Sequence, residues 1–331
     1  MLKFKNAFYL PSGRVFLLET GDGFGIECTE MRDVAVDGKL HKDVRTSNDP
    51  HVIWNHLVDY KDKWLLTVST QKGCNHKCQY CDVANLGFHG NLSVTEIQDQ
   101  IKFLLESTPY MTKTQKAKIG FARMGEPAHN LYNVLASVLS LYDISKSMNR
   151  DITWLPCFNS ILPRKTYEGL TGYDVIDNVL DVKENWYDGF LHFQISVNST
   201  DENKRKELFG GADVLTIEEI IRYINKQNIK NRTVTLNFIV MKGVPIDVNY
   251  LSKIGLNGEK FAVKLIPLNN TVNAGEHSLE TYANYNNYEE LIVLSEKFKE
   301  KGVPVIYDAI AKCEEAGLCC GQLAQIYQKK I

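Results

Sequence analysis

The chain has 331 residues, 38 Lys and Arg against 40 Asp and Glu, a formal net charge of −2, and 44% apolar and 24% charged residues. These ordinary values exclude disordered, collagen-like and low-complexity classes. No apolar run reaches the ~18 residues of a membrane span, and the opening MLKFKNAFYLPSGRV lacks the apolar core and cleavage site of a secretion signal. The expectation is therefore a cytoplasmic protein with no membrane partner. The near-neutral charge gives no general support for nucleic-acid binding, although a local basic face is compatible with a neutral total.

In chain order, residues 1–60 read as a small β-rich N-terminal accessory element. Extended runs at Ala7–Leu10, Arg14–Glu19 and Gly23–Thr29 are separated by turn signals at Pro11-Ser12-Gly13 and Gly21-Asp22, and residues 32–60 are polar without a clear period. From Trp64 the rhythm changes to strand-length apolar runs alternating with helical patterns. The predicted strands are Trp64–Thr70, Lys118–Ala122, Ile152–Cys157, Leu191–Val197, Thr233–Val240, Ala262–Leu268 and Val303–Tyr307. The predicted helices are Val94–Glu106, Leu131–Ser145, Ile217–Lys226, Val248–Ile254 and Tyr288–Lys301, the first with Ser93 and Glu96 spaced as a capping box. Such alternation argues for a parallel sheet, open or closed into a barrel, whose ligands gather at the C-terminal strand ends. The chemistry-bearing motifs fall there: Cys74 follows the first of these strands, Gly125-Glu126 the second and Asn269 the sixth.

The eight cysteines are unevenly spread, at 28, 74, 78, 81, 157, 313, 319 and 320. In a cytosolic chain such a cluster reads as metal-binding or catalytic rather than disulfide-bonded. Cys74-Asn-His-Lys-Cys78-Gln-Tyr-Cys81 wraps three thiols around one corner of a site. A tetrahedral zinc site wants a fourth ligand, and His76 is cramped between the first two cysteines. A 4Fe-4S cluster held by three cysteines leaves one iron open, which makes a catalyst rather than a wire.

With Tyr80 before the last cysteine, this C-x3-C-x-aromatic-C run resembles that of the radical S-adenosylmethionine (SAM) superfamily. Further segments, in the same order, resemble the RlmN/Cfr-like branch of RNA adenine methyltransferases. They are Ser69–Cys81 (STQKGCNHKCQYC), then Asn91-Leu92-Ser93 with Glu96-Ile97 and Gln100, then Met124-Gly125-Glu126-Pro127 with Asn130. Ser196-Val197-Asn198 with Asp201 and Arg205, Leu265-Ile266-Pro267-Leu268-Asn269 and Cys320-Gly321-Gln322-Leu323-Ala324 continue the series, and Ile26-Glu27 is a weaker echo. The resemblance implies an α/β fold with a partial (βα)6-type radical SAM barrel over residues 61–331. It implies a 4Fe-4S cluster on Cys74, Cys78 and Cys81, and SAM as second cofactor. By the same resemblance Gly125 and Glu126 meet the methionine end of SAM, and Ser196, Val197, Asn198 and Asn269 hold the rest. Cys320 is then the methyl carrier and Glu27 the candidate general base. A reducing partner such as flavodoxin or ferredoxin and an RNA substrate are implied with them. Cys28, Cys157 and Cys313 read as structural, and Met124 as packing.

Two departures stand against the full carry-over. The family has a second cysteine seven residues before the first cluster cysteine, where it releases the enzyme–substrate thioether; here that position is Thr67, which cannot form a disulfide. Cys319, Cys313 or Cys28 could substitute, the thioether could be resolved differently, or the chemistry could differ. The family's His is also Asn198 here. The short, slightly acidic N-terminal region weakens the case for RNA, since RNA binding relies on Lys and Arg. The competing reading is an RlmN-like radical SAM enzyme acting on a small molecule or peptide by different chemistry. A non-catalytic iron–sulfur protein would need neither Gly125-Glu126 nor Cys320.

Overall fold

A computed structural model describes residues 2–10, 12–33, 58–281, 289–307 and 319–329. Most of the polar stretch 32–60, and Cys313, lie outside the described residues. The strands are β1 (Lys3–Leu10), β2 (Gly13–Glu19), β3 (Gly25–Arg32), β4 (Trp64–Thr67), β5 (Gln71–Gly73), β6 (Phe88–Asn91), β7 (Lys113–Gly120), β8 (Asp151–Ser160), β9 (His192–Ser196), β10 (Val234–Val240), β11 (Phe261–Pro267) and β12 (Val305–Tyr307). Among the described residues all but β5 and β6 join one sheet in the order β1-β2-β3-β4-β7-β8-β9-β10-β11-β12, and β5 and β6 form a separate hairpin. Every pairing from β4 to β12 is parallel, as a partial (βα) barrel requires, while β1 to β4 pair antiparallel. The N-terminal strands thus continue the barrel sheet across residue 60.

The helices are α1 (Val94–Glu106), α2 (Leu131–Leu139), α3 (Leu141–Ser147), α4 (Gly172–Asn185), α5 (Glu202–Leu208), α6 (Ile217–Asn225), α7 (Val248–Lys253), α8 (Val272–Glu276), α9 (Glu289–Glu300) and α10 (Gln322–Gln328). The capping box read at Ser93 and Glu96 is present, and Thr171–Asp174 and Thr216–Glu219 start α4 and α6 in the same way. The single helix expected over Leu131–Ser145 breaks at Ser140, whose hydroxyl donates to the Ser137 carbonyl and accepts from Gln98. No described helix is long and apolar enough to cross a membrane.

Strand alternation gives the sheet two unlike faces. Ile119, Phe158, Phe193, Ile195, Leu236, Phe238 and Val263 point to the convex side and are fully buried in the main core. Phe158 meets Phe193 edge to face, and Phe238 reaches Phe298 of α9. The residues between them face the concave side. Thr67, Gly120, Cys157 and His192 form one row across β4, β7, β8 and β9. Gln194 and Thr235 stand opposite each other further along, and Ser196, Asn237 and Lys264 form another row.

Candidate active site

The three-cysteine loop follows β5 and lies at the C-terminal ends of the parallel strands. It is held by backbone groups: Cys74 N–H donates to the Gly87 carbonyl at 2.8 Å and Gln79 N–H to Leu208 at 2.9 Å. Asn273 donates its side-chain amide to the Cys81 carbonyl at 2.8 Å. Burial pushes the Cys74 thiol up to about 12 and those of Cys78 and Cys81 higher, with each thiol in the field of its neighbours. Loading iron must therefore displace protons from all three. His76, the fourth ligand a zinc site would need, has its Nε2 2.9 Å from Nε2 of His129, and the two rings stack. Among the described residues no three His, Cys, Asp or Glu side chains close on one point as ligands of a single ion do. A four-iron cluster asks for something different, each thiolate on its own iron.

Gly125 and Glu126 face this loop from the end of β7. Gly125 has φ +98°, and a Cβ there would fall 2.5 Å from the Gln71 side chain. That close approach lets Gln71 Oε1 accept from Glu126 N–H at 2.8 Å. The Glu126 carboxylate accepts from Ala128 N–H at 3.0 Å and Ile161 N–H at 3.1 Å. Burial raises its pKa to about 7 despite those bonds and one to Ser160. Asn198, at φ 64°, accepts at Oδ1 from Ile239 N–H at 3.0 Å, while its buried Nδ2 has no hydrogen-bond partner. Val197 is buried; Ser196 and Asn269 are half-buried at the ends of β9 and β11. Arg205 was quoted in the sequence only as part of a motif. It is fully buried, bonds the Leu215 carbonyl, and leaves Nε and one terminal nitrogen unpaired.

The segment Cys319–Gln328 is fastened over the same end by two buried carboxylates. Glu27 accepts from Gly321 N–H at 3.1 Å and Ala324 N–H at 2.9 Å, and pairs with the Arg123 guanidinium at 2.7 Å. Arg123 also reaches Cys320 Sγ at 3.5 Å and the Cys319 carbonyl at 3.3 Å. Asp82 accepts from the Gln322 amide at 2.6 Å and from Asn273 N–H at 2.9 Å. Gly321 has φ +86°, and a Cβ there would strike Val83 at 2.7 Å, so only glycine lets this turn lie on the cluster loop. Cys320 is half-buried, and the thiols of Cys320 and Cys81 lie in one another's field. Sequence reading missed Arg123, Asp82 and Gln71 because their partners are remote in the chain.

Thr67 shares a 2.6 Å hydrogen bond with Thr29. Cys28 alternates with Glu27 and Thr29 along β3 and is fully buried in the apolar core. Cys157 lies in the same row as Thr67, with Gly120 between them. A surface cleft between α7 and α9 contains none of these residues.

Comparison with known proteins bears on the family and the fold. The model of the Radical SAM superfamily matches residues 68–249. A protein of Aquifex aeolicus named "Probable dual-specificity RNA methyltransferase RlmN" is 28% identical over 67% of this chain and 61% of its own length. A protein of the same name from Clostridium botulinum is 25% identical over 99% of this chain and 88% of its own. The crystal structure of a radical SAM methyltransferase from Sphaerobacter thermophilus shares the fold, with a TM-score of 0.66 at 20% identity, over 97% of this chain and 80% of that one.

Proposed function

Because the chain belongs to the radical SAM superfamily, we propose that it is an RlmN-like enzyme that transfers a methyl group by radical chemistry through a methylated Cys320. When bound, a 4Fe-4S cluster and SAM supply a 5′-deoxyadenosyl radical. The residues present fit both groups: three thiols in one loop for the cluster, and the orphaned amide of Asn198 together with the ionisable Glu126 for SAM. Cys74, Cys78 and Cys81 would hold the cluster. Gly125 and Glu126 would receive the amino-acid end of SAM, the carboxylate accepting from its ammonium group. Ser196, Val197, Asn198 and Asn269 would bind the remainder.

The observation that carries the proposal is Cys320 beside Arg123, on a turn fastened by Glu27 to β3 and by Asp82 to the cluster loop. A guanidinium next to a thiol favours the thiolate, the form that accepts a methyl cation. Glu27 serves that arrangement first by positioning; as general base it would have to act from within its ion pair with Arg123. An electron must also reach the cluster, for which flavodoxin or ferredoxin is the proposed donor. The test is mass spectrometry of the tryptic peptide Cys313–Lys329 from protein assembled anaerobically with iron, sulfide and SAM. A single methyl group on Cys320 is the expected result; an unmodified Cys320 in protein that cleaves SAM overturns the carrier role.

Thr67 favours a second reading. Its hydroxyl, bonded to Thr29, offers no sulfur to release a thioether. On this reading the radical machinery acts on a substrate other than RNA. RNA is the substrate that the relatives' name carries, with adenine as the base that the family resemblance implies, and an RNA-binding assay across a salt series separates the two readings.

A further inference from the structure

The concave face carries a polar constellation that the proposed cofactor contacts leave unused. Gln194 is its centre. Its amide nitrogen donates to Cys157 Sγ at 2.7 Å and lies 3.2 Å from His192 Nδ1, and its oxygen accepts from Asn237 Nδ2 at 3.0 Å. His192 Nε2 lies 2.9 Å from the Thr235 hydroxyl. These bonds fix the Asn237 amide with its nitrogen committed. Its Oδ1 is left without a partner, in a residue only 7% exposed. A buried amide oxygen left unpaired is costly, and a ligand offering an N–H would remove that cost.

Cations lie on and beside the same wall. Lys264 stands opposite Asn237 in the β10–β11 register, and Lys118 lies on the same face of β7, two residues before Gly120. Arg232 leads into β10 half-buried, and its guanidinium makes no hydrogen bond or ion pair among the described residues. His192 feels them all. Burial, then Lys118, Arg232, Lys264 and Lys116, hold its pKa down to about 2, so the ring stays neutral and presents no competing charge.

We propose that this wall binds a small substrate of the nucleoside monophosphate class, with its phosphate against Arg232, Lys118 and Lys264 and a base N–H on Asn237 Oδ1. A dianion matches three cations on one wall better than a carboxylate does. A fixed amide oxygen reads an exocyclic amine or ring imide. A polymeric RNA keeps its phosphates outside and sends in a base, which would leave cations on the inner face of the sheet opposite an uncharged ring. The proposal rests on the radical reading of the site above, and extends it to the substrate class.

The test is calorimetric titration of the anaerobic holoprotein, with SAM present, by the four nucleoside 5′-monophosphates, their nucleosides, inorganic phosphate and a short hairpin RNA. At least one monophosphate should bind at least tenfold more tightly than its nucleoside, and phosphate should compete with it. Arg232→Gln should erase that tenfold advantage, and Asn237→Ala should weaken nucleoside and monophosphate alike. Lys264→Gln should reproduce the Arg232→Gln result, so the question stays answerable if one variant fails to fold. Equal binding of nucleoside and monophosphate, no binding of either, or an unchanged affinity in both charge variants overturns the proposal. So does tight binding of the hairpin alone. Nucleotide binding in a preparation that never cleaves SAM would overturn the functional reading while leaving this site standing.

Discussion

The two faces of the central sheet are written by alternate residues of the same strands, yet they obey different rules. Phe158 and Phe193 fill the helix-covered face, while Cys157 and His192, their immediate sequence neighbours, hold the concave face. The convex face is what burial alone selects: apolar and close-packed. The concave face could have been made apolar in the same way. Instead it keeps thiol, imidazole, amide and ammonium groups, one of them with an unpaired buried oxygen. Where a fold retains polar groups that packing does not require, the reason is sought in what binds there.

That contrast can be attacked from several sides. The largest effect is expected at the C-terminal rim of the concave face, where Cys78→Ser should lower both bound iron and 5′-deoxyadenosine formation at least a hundredfold while circular dichroism is unchanged. Full iron content in that variant would remove Cys78 from the ligand set. Next, Phe193→Ala should cost about 3–5 kcal/mol in urea unfolding. Gln194→Leu, one residue along, should cost less, about 1–3 kcal/mol, because it strands the buried Asn237 Nδ2 that Gln194 accepts from. Equal losses would mean that the concave face is structural after all. Glu27→Gln leaves Arg123 as a buried charge without its anion, for about 3 kcal/mol, and should reduce Cys320 methylation at least tenfold. Unimpaired methylation would limit Glu27 to a stabilising contact. The smallest effect is a pH dependence. Glu126 ionises near pH 7 because burial raises its pKa. Its carboxylate therefore forms as pH rises, and SAM affinity should increase about tenfold from pH 6 to pH 8. Glu126→Gln should flatten that profile.

Much of the barrel was legible because its strands are apolar runs bounded by turn residues, and each of the seven runs expected from Trp64 onward overlaps a strand, although the run Lys118–Ala122 catches only the end of β7. Helix α4 was missed. Asp174, Asp177 and Asp181 dilute its apolar stripe, and the Thr171–Asp174 capping box was its readable signal. The β5–β6 hairpin is too short and polar to show a period. In the site, contiguous motifs such as Cys74–Cys81 and Cys320–Ala324 could be read directly. The groups that connect them could not: Arg123 meets Glu27 across 96 positions, and Gln322 meets Asp82 across 240. Nothing local in an arginine after a strand marks it as the neighbour of a distant cysteine.

The fastening of Ala324 to Glu27, 297 positions apart, also has a consequence for biosynthesis. During translation Glu27 and Arg123 emerge long before Gly321, so a nascent barrel must wait with these carboxylate-binding positions unfilled. The turn that carries Cys320 is thus among the last parts of the site to be laid down. Contacts of such long sequence separation are slow to form. A polypeptide interrupted before that turn would lack the thiol beside Arg123 even where its sheet was complete, which delays exposure of the reactive sulfur until most of the surrounding wall has been made.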